Sequence, residues 1–228
     1  MTGTKVVKLK LEGGSGEKLP TLKDPTVEKA AELFKKSELG DSVPLFFEQM
    51  VKKTKNLNAS SAQLQAIILL MEEECYNKSS YPPLAGMFLT ALINNSKTDN
   101  FEFELKKPVD SLGYQLEDGK EITVTANLGD WLGEQMTGGK INVRGYARHH
   151  VGAEMRGGEI HVDGTIKDYA ADRMTGGRIH VGEIRGEYTG HYMDGGTLES
   201  DGSLGQISPK YIKGDLFQDG EKFTVLKI

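Results

Sequence analysis

His161 and His180 stand nineteen residues apart, each inside the same Ile-His-Val frame. If successive nineteen-residue segments stack, the two imidazoles become neighbours about 4.8 Å apart and can converge on one metal ion. Glu199 continues the column, so a metal site here would use His161, His180 and Glu199. A useful site needs three or more converging ligands, and a solvated face of stacked polar side chains is the plainer reading, so no metal is assigned. A second column at the same spacing reads Asp130, His149, Asp168 and Glu187, with one imidazole between two acids. Beside it run Trp131, His150, Tyr169 and Tyr188, an aromatic ladder with charges nearby. Aromatic side chains next to charge are typical interface anchors, so these four are the candidate partner-binding residues. The bland alternative is ordinary stacking at a corner of the coil.

Other chemistry is harder to find. There is no Gly-x-Ser-x-Gly nucleophile elbow, and His149-His150 lacks the spacing of a HExxH metalloprotease helix. The paired glycines do not follow a strand and open a helix, so they are neither a phosphate loop nor a dinucleotide fingerprint. Cys75 is the only cysteine, which excludes an internal disulfide, a CxxC redox pair and a self-contained iron–sulfur ligand set. No catalytic residue and no cofactor is assigned.

The columns rest on a repeat. Met136, Met155, Met174 and Met193 each open one phrase: Met-Thr-Gly-Gly-Lys-Ile-Asn-Val, Met-Arg-Gly-Gly-Glu-Ile-His-Val, Met-Thr-Gly-Gly-Arg-Ile-His-Val and Met-Asp-Gly-Gly-Thr-Leu-Glu-Ser. A fixed period near 20 residues marks one structural unit stacked on copies of itself. The Ile-x-Val alternation is that of a half-buried strand, and the glycine pair before it marks a bend. A second small position, Gly133, Gly152, Ala171 and Gly190, precedes each methionine by three residues. The period is too short for helical repeats and lacks a leucine-rich pattern, leaving a parallel β-solenoid. Its inward columns are Met136/155/174/193, Ile141/160/179 with Leu198, and Val143/162/181. Lys140, Glu159 and Arg178 form an outward column of alternating sign. The register extends upstream to Gly119, Ile122 and Val124, and downstream to Gly214 and Phe217, giving about five or six coils over roughly residues 116–220.

Residues 152–164, Gly-Ala-Glu-Met-Arg-Gly-Gly-Glu-Ile-His-Val-Asp-Gly, together with the preceding His150-Val151, resemble the repeat of formylmethanofuran dehydrogenase, carried by that enzyme's glycine-repeat subunit. A similar repeat forms the C-terminal glycine-repeat domain of the glutamate synthase large subunit. The resemblance extends over about half the chain. It implies a right-handed parallel β-helix without catalytic residues of its own, acting as a scaffold inside a larger enzyme assembly of the oxidoreductase or formyl-transfer kind.

The first half of the chain reads differently. Val7, Leu9 and Leu11 alternate with lysines as a strand over residues 1–12, followed by a glycine-rich loop. Asp24-Pro25 signals a helix start, with Val27, Ala30, Ala31 and Phe34 on one face and an end near Gly40. A second helix begins within 41–44 and carries Leu45, Phe46, Met50 and Val51. A third follows Ser60 or Ser61 to Tyr76. Pro82 and Pro83 interrupt, and a fourth runs from Leu84 to Ile93. Phe101, Phe103 and Leu105 then open the β-part. The expectation is an α+β chain: residues 1–100 a mainly helical capping or interaction domain, residues 101–228 the glycine-repeat β-helix. Residues 24–95 should pack on the solenoid, because an open coil end invites polymerisation.

At 228 residues with a net charge of -5, the chain has no basic balance to favour nucleic acid or an anionic membrane. The apolar run at residues 66–71 is too short to span a bilayer, and a lone cysteine suits a reducing cytoplasm. These features point to a cytoplasmic, non-catalytic scaffold or binding subunit whose partners are proteins of a multi-subunit assembly or further copies of itself. The alternatives are a metal-assisted enzyme using the stacked His/Asp columns and a stand-alone oligomerising interaction protein.

Overall fold

The computed structural model describes residues 23–38, 42–77 and 81–224. The strand expected over residues 1–12 lies outside the described residues. Four helices come first: α1 (Pro25–Lys35), α2 (Val43–Thr54), α3 (Ser61–Cys75) and α4 (Tyr81–Asn95). They are followed by β1 (Asn100–Glu104), β2 (Glu121–Asn127), β3 (Lys140–Tyr146), β4 (Glu159–Ile166), β5 (Arg178–Ile184), β6 (Thr197–Ser200), β7 (Asp215–Gln218) and β8 (Glu221–Phe223). The strands make one sheet in chain order. Six successive pairings are parallel, and only β7–β8 is antiparallel. The fold is an α+β chain whose second half is a parallel β-solenoid.

Register follows the repeat. Ile122, Ile141, Ile160 and Ile179 pair in sequence, then Leu198. All are buried, as are Val124, Val143, Val162 and Val181 and the four repeat methionines. Each methionine supports the next coil: a Cβ added at Gly177 or Gly196 would meet the methyl of Met155 or Met174. Flexible thioethers suit such irregular gaps. The second glycine of each pair is needed because coils touch backbone to backbone. Gly158 has φ +88°, and a Cβ there would lie 2.5 Å from the Gly138 carbonyl oxygen.

The solenoid differs from expectation at both ends. It starts a coil early, since β1 pairs with β2 through Phe101↔Ile122 and Phe103↔Val124. At the far end Leu198 pairs with Leu216, not Phe217, because the last coil is one residue shorter. A one-residue slip exchanges inward and outward faces, so Leu216 is buried and Phe217 only half-buried.

Helix starts match their capping chemistry. Asp24 accepts from the Thr26 and Val27 amides, and Ser60 forms a capping box with Gln63. Pro82 and Pro83 do not precede α4 as expected; they lie in its first turn, where no intrahelical donor is missed. Helix α1 stops at Lys35, short of the expected end, with the Ser37 hydroxyl donating to the Leu33 carbonyl. On α2 Leu45 is exposed, while Phe47 is buried edge-on against Tyr114 of the first coil. Helix α4 is apolar on nearly every side and is buried throughout Leu84–Ile93. At Gly86 a Cβ would overlap the backbone of residues 110–112, and Thr90 Oγ1 accepts from the Gly113 amide at 2.8 Å. The helices therefore pack on the solenoid, and one apolar core runs through both.

The edge of β1 is closed by side chains of α3. Ser61 Oγ both accepts from the Glu102 amide and donates to its carbonyl, each at 2.9 Å. Gln65 does the same for Glu104, and Glu72 accepts from the Lys106 and Lys107 amides at 2.8 and 2.9 Å. An exposed parallel edge is a template for pairing with another chain; here a row of polar side chains on one helix occupies it. Among the described residues no helix is long and apolar enough to cross a membrane.

Candidate functional site

The aromatic column forms at a corner where every coil turns through left-handed backbone. Trp131, His150, Tyr169 and Tyr188 have φ of 67°, 60°, 60° and 60°. Two and four residues later φ is positive again, as at Ala171 (58°) and Arg173 (52°). Bulky side chains in this region cost on the order of 1 kcal/mol or more and persist only where the surroundings hold them. Two sets of hydrogen bonds do so. The amide three residues on closes each turn, as in Asp172 N–H to the Tyr169 carbonyl. Each column amide also donates to the next coil: Trp131 to His149, His150 to Asp168, Tyr169 to Glu187, all at 2.9 Å.

The rings are consequently parallel. Centroids are 3.8 Å apart for Trp131–His150 and 4.8 Å for both His150–Tyr169 and Tyr169–Tyr188, with interplanar angles of 3°, 9° and 11°. The four expected residues are thus brought together as one stack. Tyr188 is exposed and the other three half-buried.

Sequence reasoning missed what lies beside the stack. His191 stands edge-on to Tyr169, Tyr188 and Tyr192, and its Nδ1 is 2.9 Å from Asp172 Oδ1. The Asp172 side chain is only 5 % exposed and also binds Arg173 at 2.8 Å. These residues follow each ladder position by three, so the nineteen-residue period could have found them: Glu134, Ala153, Asp172, His191. Burial, reinforced by Glu154, pushes the Glu134 carboxyl up to about 7. His150 Nδ1 is buried with no hydrogen-bond partner among the described residues. Burial holds its imidazole below the usual range, against the opposing pull of Asp172. The stack is therefore uncharged at neutral pH, and its charges sit along one side.

The Asp130/His149/Asp168/Glu187 column serves the backbone more than chemistry. Asp110, Asp130 and Asp168 each accept the amide of the next coil, at Asp130, His149 and Glu187. Of the two acids expected beside the His149 ring, Asp168 meets it, at 3.0 Å from Nδ1. The outward salt ladder is also partial. Lys140 and Glu159 approach to 3.9 Å, whereas Arg178 turns to Glu199.

That pairing decides the expected metal trio. His161 and His180 are adjacent, with Nδ1 atoms 3.1 Å apart, but Glu199 is held by Arg178. No group of three or more His, Cys, Asp or Glu among the described residues is arranged to hold a metal ion. An open groove of about 580 Å³ lies along the glycine turns, lined by Lys120, Lys140 and Glu159. Lys120 is already engaged there by the Ser96 and Thr98 carbonyls and Asp99. Comparisons with protein-family models, curated proteins and solved structures found no match to this chain.

Proposed function

We propose that this protein is a non-catalytic β-solenoid scaffold, a binding subunit that docks a protein partner of a larger assembly through the Trp131/His150/Tyr169/Tyr188 face. The observation that carries this reading is the parallel stack, held by backbone hydrogen bonds at strained left-handed positions. Such a surface loses little conformational entropy on docking, and aromatic anchors dominate interface energetics. Tyr188 and Tyr192 extend it with exposed ring area, and Arg173 and Glu187 give it a charged rim. The resemblance to the glycine-repeat subunit of formylmethanofuran dehydrogenase favours an enzyme assembly as the setting, with the chemistry on other subunits.

Affinity capture from the source cell, with wild type beside the Tyr169→Ala/Tyr188→Ala double variant, tests it. A partner retained by wild type should bind the variant at least about 30-fold more weakly, as loss of about 2 kcal/mol or more implies. Circular dichroism should show the solenoid intact. Equal retention by both proteins would overturn the assignment of this face.

A further inference from the structure

Strands β4 and β5 set His161 and His180 side by side, Nδ1 to Nδ1 at 3.1 Å. The far nitrogen of each ring meets a carboxylate: His161 Nε2 is 3.0 Å from Asp163 Oδ1, and His180 Nε2 is 2.8 Å from Asp201 Oδ1. Three contacts in series thus join Asp163, His161, His180 and Asp201. Carboxylates only accept, and two neutral imidazoles carry two N–H groups between them. The outer contacts use both. The two Nδ1 lone pairs are left facing each other, and a positive species is required between them, either a shared third proton or a metal ion.

The geometry suits the metal. Two imidazole nitrogens each about 2.0–2.1 Å from a tetrahedral zinc ion lie about 3.3 Å apart, close to the separation present. A carboxylate on the far nitrogen selects the tautomer whose other nitrogen can ligate, and raises its basicity. Asp163 occupies that position through an irregularity in the sheet: β4 gains one residue over β5 between Val162 and Thr165. Bulges of this kind re-aim side chains. The rings are 37 % and 30 % exposed, so solvent reaches the pair. The charged neighbours are Asp163, Asp201 and the Arg178–Glu199 pair.

We propose that His161 and His180 chelate one first-row divalent transition metal through their Nδ1 atoms, with Asp163 and Asp201 holding the outer nitrogens. The ion replaces the shared proton, which leaves to solvent. Two protein ligands leave the remaining tetrahedral positions to water or an exchangeable donor.

Calorimetric titration of zinc into the full, chelator-stripped chain, in two buffers of different ionisation heat, tests this. The expected result is one ion per chain with about one proton released. His161→Ala and His180→Ala should each remove saturable binding, while Asp163→Asn and Asp201→Asn should weaken it about 10–100-fold. His149→Ala, in a different column, should bind as wild type, and thermal melts of the metal-free variants check the fold. Absence of saturable binding, or binding that survives both His161→Ala and His180→Ala, would overturn the proposal and leave the pair as a proton-sharing contact.

Discussion

Gln65 and Glu104 are joined by two hydrogen bonds that reproduce a β-ladder without a strand. The Gln65 carboxamide donates to the Glu104 carbonyl at 3.1 Å and accepts from the Glu104 amide at 2.7 Å. One helical side chain thereby satisfies both backbone groups of an edge residue. Gln65→Leu strips that pairing while keeping the apolar stem, and should cost about 1–2 kcal/mol in denaturant unfolding. Hydrogen exchange should localise the effect, with the Glu104 amide exchanging faster and the Ile141 amide unchanged. Unchanged protection at Glu104 would mean that α3 does not close the edge.

Gly152 and Gly158 are both small for different reasons. A Cβ at Gly152 would meet the Ile179 Cδ1 atom, the end of a side chain that can move. At Gly158 it would meet backbone carbonyls of the preceding coil. Gly152→Ala should therefore lose about 1–3 kcal/mol, and Gly158→Ala more. At the Gly152 position of the next coil stands Ala171, and the same 27-residue offset that links Gly152 to Ile179 leads from it to Leu198. Adding Ile179→Leu to Gly152→Ala should recover part of the loss. Chemical denaturation of the three variants gives the ranking, and equal losses for the two alanines would contradict it.

Two groups near the aromatic stack give stability opposite pH dependences. Burial lowers the His150 imidazole, so the unfolded chain takes up a proton near pH 6.5 that the folded chain resists. Stability from this residue is therefore lost as pH falls below about 6.5. Glu134 is raised from 4.5 to about 7, so the folded chain holds a proton that the unfolded chain has released. Its contribution is present at low pH and is lost as pH rises from about 4.5 through 7. His150→Phe should flatten the acid limb of a Tm–pH profile. Glu134→Gln should flatten the neutral limb, on the order of 1 kcal/mol at pH 8 after screening of a part-exposed carboxyl. A wild-type profile level between pH 5 and 8, unaltered by either change, would show these groups to be uncoupled from folding.

The architecture was legible in the sequence because a solenoid is nearly one-dimensional. Each coil contacts only its neighbours, so the nineteen-residue spacing of Met136, Met155, Met174 and Met193 is at once a sequence fact and a spatial one. The inward isoleucine and valine columns and the Trp131/His150/Tyr169/Tyr188 stack follow from that translation alone. The translation fails where the period breaks. The short last coil turns Leu216 inward in place of Phe217.

What only the tertiary structure decided are the contacts that leave the column. Whether Glu199 meets His180 or Arg178, and which nitrogens of His161 and His180 face each other, depends on side-chain rotamers. It also depends on a one-residue bulge, which a period cannot encode. The docking of α3 on β1 pairs Gln65 with a residue 39 positions away through a helix axis and a strand direction. No repeat relates those two elements. Periodicity specifies neighbours along one axis; meetings between unlike elements are set by how their apolar faces pack in three dimensions.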